Sequence, residues 1–164
     1  MNDKRKEALD TFIGNLDRFD RYAAAGYAKE LLDFRPAIED AWTIREHLVH
    51  LMDAEIILHL RIKRAIAEPG IAVPDLAPFI RGEWVKPLRY FEQSVIDTVE
   101  AFKRIRTLTH SLLLSRAEED WDGYYIERTN GEKPTIEDML KLLIHHDGYH
   151  IDFIERNEDY WERR

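Results

Sequence analysis

The residues best suited to chemistry stand near the C-terminus, in the run Leu143-Ile144-His145-His146-Asp147-Gly148-Tyr149-His150. Positions four apart on an α-helix are displaced by only ~40° about the axis and about one turn along it, so His146 and His150 project together. Two imidazoles so placed can ligate one metal ion. Met139, Leu143, His146, His150, Phe153 and Asn157 share one three-and-four spacing, which sets the pair on a mostly apolar stripe. His145 aligns instead with Asp138, Lys141 and Asp152, a solvated face.

A lone histidine on an apolar face is more often a hydrogen-bonded core residue than a ligand. Two on adjacent turns are harder to explain that way, because each must bury a polar ring and satisfy it. A third ligand would come from another helix. His47 and His50 both lie on inward-facing spacings of an earlier segment, and periodicity does not separate them. His59 and His110 read as surface residues. No histidine follows a glutamate by three, so the Glu-x-x-His pairs of di-iron bundles are missing. His146-Asp147-Gly148-Tyr149-His150 has the histidine spacing of a zinc-protease helix, but Asp147 is one methylene short of the usual glutamate base.

Composition narrows the partners. The chain has 164 residues, no cysteine and a formal net charge of −8. Disulfides, thiolate zinc sites and a cysteine nucleophile are thereby excluded. A metal must use imidazole, carboxylate or water, and imidazole favours zinc, nickel, copper or iron. The acidic balance argues against nucleic acid and against an anionic membrane surface. No transmembrane stretch and no signal peptide is legible, so the expectation is a cytoplasmic protein forming a single domain over 1–164.

Helical spacing positions these residues. Leu9, Phe12, Leu16, Phe19 and Ala23 predict a helix from about Lys4 to Ala25. The capping box Thr43-Ile44-Arg45-Glu46 opens a second, running to about Glu68 before Pro69-Gly70. A proline-rich connection over 69–82 precedes a third helix from about Glu83 to Leu113, with Pro87 in its first turn. Residues 115–134 read as a hairpin or extended loop around Trp121–Ile126 and Thr129-Asn130-Gly131. Thr135-Ile136-Glu137-Asp138 then caps a last helix reaching about Asn157. The expected fold class is all-α, a four-helix bundle with long connections after helices two and three.

Two segments carry a family resemblance. Trp42-Thr43-Ile44-Arg45-Glu46-His47-Leu48-Val49-His50-Leu51-Met52-Asp53-Ala54-Glu55 resembles the second-helix signature of the DinB/YfiT-like superfamily. Pro134-Thr135-Ile136-Glu137-Asp138-Met139-Leu140, leading into His146-Asp147-Gly148-Tyr149-His150, resembles its last-helix signature. The resemblance implies up-down-down-up connectivity, a homodimer, and a divalent metal held by one histidine of the second helix and two of the fourth. The position matching the family's second-helix ligand is His50; the other two are His146 and His150. Zinc or nickel heads the expected metals, with iron, manganese or copper behind them.

Three imidazoles leave a tetrahedral ion one open position, as in catalytic rather than structural zinc sites. Relatives that use low-molecular-weight thiols imply a metal-dependent S-transferase or isomerase acting on a small-molecule substrate, the thiol being the nucleophile. A metal-dependent hydrolase is the alternative enzyme. A non-catalytic, stress-related metal-binding dimeric bundle is the reading outside catalysis. Trp42, Trp84, Trp121, Trp161 and Tyr124-Tyr125 could line a pocket or simply fill core and interface. Tyr149 is expected to point away from His146. Arg61 could meet an anionic substrate group, an ordinary salt bridge being the plainer expectation.

Overall fold

The computed structural model describes residues 2–73, 82–127 and 131–164. Its helices are α1 (Asp3–Gly14), α2 (Asp17–Ala23), α3 (Lys29–Leu32), α4 (Ile44–Ala67), α5 (Val95–Leu114) and α6 (Ile136–Glu162). The α1–α2 arm, α4, α5 and α6 make an all-α four-helix bundle, as expected. Two very short strands, β1 (Ala72–Val73) and β2 (Ile126–Glu127), pair in parallel across one end. Among the described residues, no helix is long and apolar enough to cross a membrane.

Capping sets the two helices that matter most. Thr43 Oγ1 accepts the Glu46 amide at 3.1 Å, and Glu46 Oε2 accepts the Thr43 amide at 2.8 Å. Thr135 and Asp138 repeat the reciprocal arrangement at the start of α6. α6 continues unbroken through Gly148 and runs five residues past the expected Asn157.

Two expectations need correction. The first helix is broken at Asn15-Leu16, where Gly14 and Asn15 are both poor helix formers, and the Asn15 side chain turns to hydrogen-bond Asp147. The third helix begins at Val95, not Glu83: the preceding residues form turns and a 3₁₀ segment, Tyr90–Glu92, and Ser94 is the N-cap. Arg89 there has φ 50°, a left-handed conformation that ends any helix. The 115–134 segment, read as a hairpin or extended loop, forms a 3₁₀ turn over Glu118–Asp122 that leads to β2, whose partner is β1, and Tyr124 makes an isolated antiparallel bridge to Thr135. Thr129 and Asn130, with residues 74–81 of the expected 69–82 connection, lie outside the described residues.

The core falls into two apolar clusters. One gathers Leu9, Phe12, Leu58, Ile62, Leu113, Trp121 and Leu143; the other Leu16, Phe19, Leu48, Leu51, Val99, Phe102 and Ile151. Between them on α4, α5 and α6 lie Glu55, Arg106 and Asp147, all essentially without solvent contact. Arg106 Nη2 donates to Glu55 Oε2 at 2.5 Å and to Asp147 Oδ1 at 3.1 Å, while Nη1 donates to Asp147 Oδ2. Its guanidinium also lies 4.4 Å from the ring centres of both Phe12 and Phe102. Burial pushes both carboxyls up against the opposing pull of Arg106.

Candidate metal centre

α4 and α6 present two faces each. Leu48, Leu51 and Leu58 on α4, and Leu143, Ile151 and Ile154 on α6, enter the core. One position round, His47 and His50 on α4 face His146 and His150 on α6. His50 Nε2 stands 3.1 Å from His146 Nε2, and His47 Nδ1 stands 2.8 Å from His150 Nδ1. His47, His50 and His150 are buried, and His146 is half-buried.

The expected trio comes together. His50, His146 and His150 each offer a ring nitrogen, and the three nitrogens lie within 4.8 Å of one another. Two nitrogens bound at 2.0–2.1 Å to one tetrahedral ion stand roughly 3.3–3.4 Å apart, close to the His50–His146 separation. The donor set, three imidazoles in a partly buried niche with no carboxylate grouped with them among the described residues, suits a divalent ion of the zinc, nickel or iron type. Both His47 and His50 face inward, which is why spacing alone could not choose between them.

His47 has a different place. Burial, reinforced by the charges of Arg156 and Arg35, holds its pKa down at about 3, so the ring is neutral near pH 7. Its ring stacks on Phe153 at 5.6 Å with a 7° interplanar angle. Trp42 roofs the cluster, its ring centre 5.1 Å from that of His50, 5.4 Å from His47 and 6.0 Å from His150. Asn157 Nδ2 donates to the Trp42 carbonyl at 2.7 Å, tying that roof to α6. Arg35 holds the adjoining loop by donating to the Ala41 carbonyl and, at 2.6 Å, to Glu46 Oε1.

A cavity of about 310 Å³ opens beside the histidines, lined by Trp42, His47, His50, Tyr149, His150, Phe153 and Arg156 together with the 38–41 loop. Such a volume suits a small molecule. Tyr149 packs edge-on against His150 at 5.4 Å and forms part of this wall. Of the other aromatic candidates, Trp121 and Tyr125 are core residues, Trp161 packs edge-on against Phe34 at 5.5 Å, and Trp84 is exposed.

Other expectations resolve differently. His59 is half-buried and hydrogen-bonded to Thr109 Oγ1 at 2.8 Å rather than a surface residue. Arg61 is buried over the Tyr125 ring at 5.3 Å, and among the described residues its Nε and Nη2 lack hydrogen-bond partners and no salt bridge holds it. Arg156 and the Glu55–Arg106–Asp147 cluster were not singled out from the sequence. The cluster had a legible signal: three charges of complementary sign, each on an otherwise apolar helical stripe.

No curated protein matches in sequence. Among solved structures, YfiT from Bacillus subtilis, described as a probable metal-dependent hydrolase with an unusual four-helix bundle topology, superposes with a TM-score of 0.83 at 17% sequence identity. The match covers 99% of this chain and 90% of YfiT, and at that identity it establishes the fold. The model of the DinB superfamily matches residues 14–154, and the chain belongs to that superfamily.

Proposed function

We propose that this protein is a metal-dependent hydrolase of small molecules, with His50, His146 and His150 as the ligands of one divalent ion. The observation that carries this reading is the convergence of three ring nitrogens within 4.8 Å, with two of the rings, His50 and His150, lining a cavity. YfiT's description supports it. An ion held there supplies Lewis acidity, polarising a substrate oxygen and making water a competent nucleophile near neutral pH. The chain's own contribution is placement. His47, hydrogen-bonded to His150, fixes that ring's orientation. Trp42 and Phe153 shield the imidazoles from bulk water, and the cavity orients the substrate.

A transferase using an external low-molecular-weight thiol is the second reading. The chain has no cysteine, and the cavity is large enough to admit a small thiol beside the histidines. Product formation that requires added thiol favours the transferase; turnover in water alone favours the hydrolase.

The shared premise is tested by metal analysis of protein purified without a histidine tag. His50→Ala, His146→Ala and His150→Ala are each expected to lose most of the metal bound by the parent. Unchanged metal content in all three removes the proposal.

A further inference from the structure

Arg156 is the only lysine or arginine among the residues described as lining the cavity beside the histidines. Other arginines of this acidic protein meet carboxylates: Arg5, Arg18, Arg21, Arg35, Arg45 and Arg106 all do so. Arg156 forms no such pair with a described residue. It is half-buried, its guanidinium carbon lies 4.5 Å from the Phe153 ring centre, and its buried Nε has no hydrogen-bond partner among the described residues. On the same wall, His47 is 4% exposed and its Nε2 has no partner among them either.

A partly desolvated guanidinium that meets no carboxylate among the described residues is costly unless a ligand completes it. Its planar fork matches a carboxylate. Glu39 and Asp40 line the facing loop and disfavour a polyanion there, which narrows the ligand to a single negative charge. Trp42, Tyr149, Phe153 and Ile38 supply apolar walls. Arg156 follows His150 by six residues on one helix, about 9 Å along the axis, enough for a ring and a short linker between anion and histidines.

We propose that the cavity binds a small monocarboxylate with an aromatic or branched apolar body, its carboxylate on Arg156 and its reacting bond directed toward His50, His146 and His150. The direction of the reacting bond rests on the hydrolase reading; the carboxylate subsite does not.

Phenylacetate, its neutral counterpart phenylacetamide, and acetate serve as probes in calorimetric titrations of metal-free and zinc-loaded protein. Metal-free parent protein is expected to bind phenylacetate about tenfold or more tighter than either other probe. Arg156→Met is expected to abolish that preference and Arg156→Lys to recover part of it, with circular dichroism and zinc content matching the parent. Equal affinity for phenylacetate and phenylacetamide, equal behaviour of parent and Arg156→Met, or no binding of phenylacetate overturns the subsite. So does a preference seen only after zinc loading, because the carboxylate then sits on the ion. Acetate binding as tightly as phenylacetate overturns the apolar body. A parent that takes up no zinc yet keeps the Arg156-dependent preference defeats the hydrolase reading and leaves the subsite standing.

Discussion

His47 occupies a position where small changes have measurable consequences for an ion held by its neighbours. Its Nδ1 lies 2.8 Å from His150 Nδ1, its ring is pinned between Phe153 and Trp42, and burial keeps it neutral. A hydrogen bond to the non-ligating nitrogen of a metal histidine fixes tautomer and orientation. His47→Ala is therefore expected to weaken zinc binding by about 10–100-fold while leaving the three ligands in place. Competition with a chromogenic chelator reads the change directly. An affinity equal to that of the parent shows that His150 needs no such support.

At the scale of the element, α6 carries two of the three histidines, so its N-terminal cap bears on the site. Asp138 accepts the Thr135 amide at 2.9 Å and the Thr135 hydroxyl at 2.7 Å. The bond from the Thr135 backbone, foremost, holds the Asp138 carboxyl below the ordinary carboxylate range. A carboxyl whose pKa is depressed on folding stabilises the fold fully above its unfolded value, about 4, and loses that contribution as pH falls through the folded one. Asp138→Asn should lower the urea midpoint at pH 7, by an amount equivalent to about 0.5–1 kcal/mol, and by much less at pH 3. A difference that is the same at both pH values argues against the cap as its source. The boxes at Thr43 and Thr135 were legible because capping is local chemistry. The breaks at Asn15-Leu16 and before Ser94 were not: Gly14 and Asn15 are only weak local signals, and contacts far along the chain, Asn15 to Asp147 and Tyr90 to Asp53, hold the backbone there.

Across the whole molecule, Glu55, Arg106 and Asp147 join α4, α5 and α6 in a buried charged layer between two apolar clusters. Removing one partner from such a layer leaves uncompensated buried charge. Arg106→Met is expected to cost about 3–5 kcal/mol in chemical denaturation, and the triple variant Glu55→Leu, Arg106→Met, Asp147→Leu to recover most of that loss. A triple variant as unstable as the single one shows that packing around the guanidinium, against Phe12 and Phe102, outweighs the charges. Asp147 directly follows His146, so the same layer also anchors the turn of α6 from which that histidine projects.

The sequence by itself determined the helical class, the caps of α4 and α6, and the placing of His146 and His150 on one inward stripe with His145 outside it. These follow from periodicity and capping, which act within one or two turns and leave a direct mark on residue order. The family resemblance singled out His50, whereas spacing held His47 and His50 level because both face α6. Only the tertiary structure decided their separate places: His50 stands beside His146, and His47 stands against His150. It alone brought Trp42, Phe153 and Arg156 around one cavity. Those relations depend on how α4 and α6 cross and on a loop pinned by Arg35 and Asn157, and no periodicity within a single helix encodes the approach of another.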